Sequence, residues 1–272
     1  IHIIQIICIR NIMIKIVKDI VSFFPRTINH RKWLRTESVR LKAFHDVHKG
    51  KDCFLIGNGP SLNKMDLSLL NDYYTIGLNK IFLLFERTGL KIDYHVCVNR
   101  FVIEQCSQDF LKMECPSFIS YKNRTEILEN NEKVFFIGDV HSKWRFFEDI
   151  TSGISQGSTV TYAALQIAFY LGFSRVFLIG VDHNFAQKGT PHKVEIMKGD
   201  DQSHFDPNYF KGMKWQLPDL AGSEKAYRLA KEHFEKNDRL IADATVDGKL
   251  NIFPKVKFEE ALSVAKKKQL IK

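Results

Sequence analysis

Short apolar runs recur along this chain, each closed by small or polar residues. Cys53–Ile56, Tyr74–Leu78, Tyr94–Val98, Ser117–Ser120, Val134–Ile137 and Arg175–Ile179 are such runs. Several lack any polar–apolar alternation, the pattern of strands buried on both faces. Between them lie stretches with helical spacing, notably Leu67–Asn71, Phe101–Lys112 and Thr159–Leu171. Strand and helix alternating in this way predict an α/β fold, a Rossmann-like, mostly parallel sheet with helices on both faces. Further on, Ser223–Phe234 has helical spacing with Ser223 as its candidate cap. Leu240–Ala242 reads as a late strand and Phe258–Lys268 as a terminal basic helix.

The pattern breaks between 186 and 222, where Lys, Gly, Asp, Pro and His dominate and periodicity fades. Segments of that length without clear elements are commonly lids or binding loops. Phe205, Tyr209, Phe210 and Trp215 inside it argue for an ordered C-terminal lid. The expected organisation is a basic N-terminal segment over 1–50, a catalytic domain over 51–254 with its lid at 186–222, and a basic C-terminal helix over 255–272.

Charge sharpens this division. The net charge is +9 over 272 residues, but residues 1–50 carry a net +7, residues 255–272 a net +4, and the middle a net −2. A nucleic-acid-binding core needs a basic face, so that class is disfavoured. Basic ends on a neutral body fit contact with anionic lipid or an acidic partner. Residues 1–24 are rich in isoleucine but interrupted by Arg10, Lys15, Lys18 and Asp19. No uninterrupted run approaches the ~18 apolar residues of a spanning helix. Two readings stay open for this segment: an interfacial helix on a membrane, or a helix packed on the domain or on a second copy of the chain. The five cysteines are scattered and form no C-x-x-C pair, which supports neither a zinc knuckle nor a disulfide framework. Reduced thiols and a cytoplasmic location, peripheral on the inner face of the membrane, are expected.

Candidate chemistry gathers where strands should end. The strand at Cys53–Ile56 breaks into Gly57-Asn58-Gly59-Pro60-Ser61. Glycines let a backbone approach a ligand closely, and consecutive turn amides can cradle an anion; a plain strand-to-helix turn would look the same. Asn79, Asn99 and Asp182-His183-Asn184 follow other strands, and ligands of such sheets bind beyond the carboxyl ends of strands. Gly157-Ser158-Thr159 opens a helical run and offers amides and hydroxyls to an anion, or simply caps the helix. His183 and His204 are candidate proton acceptors, and Asp182 could orient a hydroxyl or a histidine. There is no phosphate loop ending in Gly-Lys-Ser/Thr, no His-Glu-x-x-His and no Asp-x-Asp of metal-dependent sugar transferases.

Taken together, these residues resemble two related groups. One is the bacterial sialyltransferases that use CMP-sialic acid to decorate lipooligosaccharide. The other is the hydroxymethylpterin pyrophosphokinase-like family, which includes flagellin glycosylation factors. The shared marks are Gly57–Leu62, Asn79, Asn99, the stretch from Leu171-Gly-Phe to Gly180-Val-Asp182, and a Ser203-His-Phe-Asp lid segment, over roughly residues 50–245. The resemblance implies that Asn58, Asn79 and Asn99 contact the nucleotide and phosphate region, with Gly57, Gly59, Pro60 and Ser61 in support. Gly157, Ser158, Thr159 and Asn184 would lie near phosphate or sugar. Four positions depart from the sialyltransferase pattern: its later lid His falls on Asn208, its phosphate-contacting tyrosines on Asn184 and Thr190, and its sugar-contacting Arg has Arg145 as nearest counterpart.

The resulting expectation is a metal-independent glycosyltransferase with a CMP-linked, sialic-acid-like donor in bacterial surface polysaccharide or lipooligosaccharide synthesis. The catalytic candidates are His204, Asp182 and His183. No metal or resident cofactor is called for, and the CMP-sugar enters as substrate. Partners would be that donor, a glycan or glycolipid acceptor, an anionic membrane surface and a second copy of the chain, with no nucleic acid. Two rivals remain. One is an ATP/Mg-dependent pterin pyrophosphokinase with Asp182, Asp200 and Asp201 as metal ligands. The other is a non-catalytic nucleotide-binding assembly protein.

Overall fold

The computed structural model describes residues 30–127, 131–140, 144–187 and 189–268. The isoleucine-rich segment expected to meet a membrane lies outside them. No helix among the described residues is long and apolar enough to cross a membrane.

Seven strands form one wholly parallel sheet: β1 (Asp52–Ile56), β2 (Tyr74–Leu78), β3 (Tyr94–Cys97), β4 (Ser117–Ser120), β5 (Val134–Ile137), β6 (Arg175–Ile179) and β9 (Leu240–Asp243). Their spatial order is β5-β4-β3-β2-β1-β6-β9. The direction of winding therefore reverses at β1, between β2 and β6. Central β1 is buried along its whole length. Its side chains alternate between two cores. Cys53 and Leu55 join the layer containing Trp33, Ile167 and Phe234, while Phe54 and Ile56 join Leu67, Leu70 and Phe258. Burial on both faces explains why these strands read as continuous apolar runs.

The helices are α1 (30–41), α2 (Phe85–Thr88), α3 (Arg100–Leu111), α4 (Val160–Tyr170), α5 (Leu220–Lys236) and α6 (Phe258–Val264). Helix α4 is buried from Thr161 through Tyr170, as an apolar helix sandwiched between layers must be. Within it, Gln166 uses its whole carboxamide: Oε1 accepts from Phe147 N and Ser155 N, and Nε2 donates to Ser155 O and Tyr162 O. Helix α1 covers the exposed edge of the sheet. Trp33 Nε1 donates to Phe136 O at 2.8 Å and Arg40 to Val134 O at 2.9 Å, occupying carbonyls that an open edge strand would offer to another chain.

Three elements differ from the sequence reading. Leu67–Asp72 is 3-10 rather than α. Asp219, not Ser223, caps α5, accepting from Gly222 N; its carboxylate reaches the first turn, whereas Ser223 lies inside the helix. Helix α6 ends at Val264, and the chain then runs back along the domain. Lys266 N and Arg175 share buried Asp52, while Lys267 and Lys268 pair with Asp72 and Asp93. These C-terminal lysines have partners within the protein.

The lid holds a small antiparallel hairpin, β7 (Val194–Ile196) with β8 (Lys214–Gln216). Strands of three residues are too short to show a period, which is why the sequence pattern fades there.

Candidate active site

The cleft lies at the carboxyl ends of β1, β2 and β6, where the winding reverses. In open α/β sheets this is where ligands bind. Gly57, Asn58, Gly59, Asn79, Ser158, Thr159, Asp182, His183, Asn184 and His204 all line it. Residues from five separate stretches thus converge as the sequence reading expects.

The turn after β1 packs against the turn after β6. Gly57 N donates to Ile179 O and Gly59 N to Gly180 O, both at 2.8 Å. A Cβ on Gly57 would lie 2.3 Å from Gly180 O, and one on Gly59 would lie 1.8 Å from an Asp182 carboxylate oxygen. Both glycines are therefore required by contact with the turn after β6. This corrects the expectation of an anion cradle from their amides, because those amides face the neighbouring turn. Ser61 likewise donates its N–H and hydroxyl to Asp182, at 3.1 and 2.7 Å. Burial pushes the Asp182 carboxyl up, and the Ser61 hydrogen bonds oppose that shift. Asp182 thus clasps the two turns together. Pro60 opens the short 3-10 helix Pro60–Lys64.

What the turn presents to the cleft is Asn58. It is 8% exposed, and its Oδ1 is buried without a hydrogen-bond partner. Asn79 Oδ1 is orphaned in the same way. Unpaired buried carbonyls are rare, and here two line one cleft. They are ready acceptors for donors on a ligand. Asn99 differs: its Oδ1 caps α3, accepting from Phe101 N at 2.9 Å, and the residue lines an adjoining groove with Arg100, Lys122, Gln156 and His192. Asn79, Ser158, Thr159 and Val160 border both spaces.

Asn79 is held in the left-handed region, with φ 49°. Its carbonyl accepts from His95 Nε2 at 2.8 Å, and His95 Nδ1 meets Ser117 Oγ at 3.2 Å. Burial lowers the His95 pKa from 6.5 to about 4. The unfolded chain therefore binds a proton between those values that the folded protein does not. This stability is fully present above pH 6.5 and is lost as the pH falls toward 4. The shift corresponds to about 3 kcal/mol. Urea unfolding of wild type should show that decline, with a shallower slope in His95→Gln. Parallel pH profiles for the two proteins would exclude His95 as the cause.

Backbone strain gathers at this face. Non-glycine residues with positive φ among the described residues include Asn79, Ser158, His183 and His192, all beside the cleft or its adjoining groove. Such conformations cost roughly 1–3 kcal/mol each and cluster at functional sites. Ser158 Oγ donates to Asp219 Oδ2 at 3.0 Å, and His192 Nε2 meets the same oxygen at 3.1 Å. Thr159 caps α4, accepting from Thr161 N, and its hydroxyl is 3.3 Å from Tyr227 OH. Gly157, also at positive φ, sits against Tyr162 and Ala226, where a Cβ would clash.

The two candidate histidines have different surroundings. His183 Nε2 lies 3.1 Å from Glu224 at the start of α5. His204 donates Nδ1–H to Asp201 Oδ2 at 2.8 Å, and the Asp201 side chain is wholly buried. Its ring stacks on Tyr209, with centroids 4.1 Å apart and planes 5° from parallel. Asp201 Oδ1 accepts from Ser203 N. The lid carrying this pair is bound to the first turn: Phe205 N donates to Asn58 O at 2.9 Å, and Asn63 Nδ2 to Phe205 O at 2.9 Å. Fixing Nδ1–H on a carboxylate leaves Nε2 as the basic nitrogen.

Asn208, where the sialyltransferase pattern has its later His, is exposed and does not line the cleft. Arg145 is elsewhere, over the Phe147 ring. Asp201 as orienter, Lys80, Tyr209 and Asp219 escaped the sequence reading. The three-residue spacing from Asp201 to His204 was visible, but its burial was not. The carboxylates considered as metal ligands do not converge: Asp182 binds Ser61, Asp201 binds His204, and exposed Asp200 pairs with Lys211. Among the described residues, no group of three His, Cys, Asp or Glu side chains is placed to hold a metal ion.

Fold and cleft together define a Rossmann-like α/β protein with its polar site at the switch point. The chain belongs to the family described as 6-hydroxymethylpterin diphosphokinase MptE-like, whose sequence profile matches residues 27–188. That match includes every part of the cleft except Ser203, His204, Pro218 and the residues of helix α5. The structure is similar to that of the Maf glycosyltransferase from Magnetospirillum magneticum AMB-1, with a TM-score of 0.51 at 13% identity over 82% of this chain. At that identity the likeness establishes the fold. The chain spans 36% of that glycosyltransferase. No curated protein matches the sequence.

Proposed function

We propose that this protein is a glycosyltransferase that takes a sugar from a CMP-linked, sialic-acid-like donor. The acceptor would be a glycan or glycolipid of bacterial surface polysaccharide or lipooligosaccharide, reached at the inner face of the cytoplasmic membrane. One observation carries this reading: a carboxylate-oriented histidine, His204, stands in a switch-point cleft with two orphaned carboxamide oxygens, Asn58 and Asn79. The glycosyltransferase with the similar fold and the resemblance to sialyltransferases support it.

In the proposed mechanism, donor hydroxyl or amino groups satisfy Asn58 and Asn79. His204 Nε2 takes the proton of the acceptor hydroxyl as its oxygen bonds to the anomeric carbon. The bond from that carbon to the phosphate oxygen breaks, and the nucleotide leaves with the electron pair. Thr159 and the positive end of the α4 dipole would stabilise the developing charge. The Asp201 carboxylate stabilises the imidazolium that forms.

The family's description favours a second reading, diphosphate transfer from ATP to a hydroxymethylpterin. The separate engagements of Asp182, Asp200 and Asp201 weigh against it, because those were its candidate metal ligands. Calorimetric titration with CMP and with ATP, each with and without Mg²⁺, separates the two. CMP should bind in EDTA, and Asn58→Ala should weaken it by about 1–3 kcal/mol. Donor turnover should persist in EDTA. Mg²⁺-dependent ATP binding without CMP binding would establish the kinase reading instead. Nucleotide binding with no turnover of either kind would favour an assembly role.

A further inference from the structure

Lys80 follows Asn79 at the end of β2 and is only 3% exposed. Lysine is almost never this buried unless it is paired with an opposite charge. Here Nζ donates to a backbone carbonyl, Tyr209 O, at 2.6 Å, with Met213 Sδ 3.5 Å away. The ammonium also lies 5.2 Å from the Tyr209 ring centroid and 4.7 Å from that of Phe210, within range of cation–π attraction. The Lys80 N–H donates to Tyr209 OH at 3.2 Å. One residue therefore holds Tyr209 at its carbonyl, its ring and its hydroxyl.

Tyr209 is the residue on which His204 stacks. A chain of contacts thus runs from β2, whose end carries Asn79, through Lys80 and Tyr209 to the lid histidine. Burying an ammonium is costly, and burial lowers the Lys80 pKa against the pull of Asp201 and other nearby groups. A Met or Leu would fill the same space without that cost. What an apolar residue could not do is bind the lid carbonyl.

We infer that Lys80 is a positioning residue, which fixes Tyr209 and through it the His204 ring at the mouth of the cleft. Its consequence for turnover rests on the transferase reading; the Lys80–Tyr209–His204 linkage does not.

The test uses NMR of the full chain together with kinetics. In wild type, nuclear Overhauser contacts should join the Lys80 side chain to Tyr209. The His204 ring protons should resonate upfield because they lie over the Tyr209 face. Lys80→Met should remove that upfield shift. It should also lower kcat about 10- to 100-fold, the scale of loss for a misplaced catalytic group, with donor KM and CMP affinity within about twofold of wild type, since donor binding is not its role. An unchanged His204 shift in Lys80→Met overturns the inference, whatever the activity. Should that variant not fold, Lys80→Gln, too short to reach the carbonyl, carries the same readout. Absence of the Lys80–Tyr209 contacts in wild type overturns the inference without any variant. If wild type turns over no nucleotide-sugar, the transferase reading falls and the NMR result alone decides the linkage.

Discussion

His204→Ala should lower the proposed sugar transfer by about 10²–10⁴-fold, the usual contribution of a positioned general base. Nucleotide affinity should stay close to wild type, because in the proposed mechanism the imidazole meets the acceptor hydroxyl rather than the nucleotide. Asp201→Asn has a smaller effect in the same direction. It preserves the packing of the buried side chain but can present N–H to Nδ1, which favours the wrong tautomer. His183→Ala is the discriminating control. His183 also lines the cleft, but it is tied to Glu224 on the protein surface side of α5. Single-turnover kinetics with saturating donor read all three variants. Loss of turnover in His183→Ala with retention in His204→Ala would reverse the assignment. Full activity in both would remove the base mechanism altogether.

Gly57→Ala has the largest expected effect on the fold of the site. The new methyl carbon would lie 2.3 Å from Gly180 O and 2.8 Å from its carbonyl carbon. These are backbone atoms of the turn directly after β6, the neighbouring central strand, so no side-chain rotation relieves the clash. The strands must separate at their ends, and overpacking of this kind costs about 1–3 kcal/mol or more. Separation also breaks the Gly59–Gly180 hydrogen bond and moves Asn58 away from the cleft. The variant should therefore unfold at lower urea concentration and lose CMP binding together. Gly89→Ala is a useful comparison. It carries a left-handed backbone penalty of its own at φ 66°, but nothing lies within 4 Å of its added carbon, and it does not line the cleft. Its CMP affinity should match wild type. Retention of both stability and CMP affinity in Gly57→Ala would show that the two turns are not in the contact described.

The amino-acid sequence determined the strands because the causes are local. Runs such as Phe54-Leu-Ile56 and Val134–Ile137 are apolar on both faces and end in turn residues, so strand character needs no knowledge of neighbours. The seven strands of the parallel sheet match the expected ones to within a residue at each end. The candidate cleft was legible for a related reason: in a parallel α/β sheet, polar residues just past strand ends fall on one edge. Asn58, Asn79 and Asp182–Asn184 could be placed together from their positions in the strand–helix alternation.

Roles within the cleft depend on which atoms face which neighbours, and only the tertiary structure decided that. Asn58, Asn79 and Asn99 look equivalent in the chain. Folding leaves the first two carboxamide oxygens unpaired and gives the third to a helix cap. Asp182 follows a strand like the asparagines, and the approach of β6 to β1 brings it to Ser61. The Gly57 and Gly59 amides seemed open to an anion until Ile179 and Gly180 came beside them. Asp201 is one acid among several in a polar loop, and it becomes the partner of His204 because the lid folds onto Asn58 and buries it. Lys80 is an ordinary lysine in the chain and a buried one in the fold. Strand identity follows from the summed hydrophobicity of consecutive residues. The partners that join the two turns, Ser61 with Asp182 and Gly59 with Gly180, come from segments more than a hundred residues apart, and no local pattern encodes them.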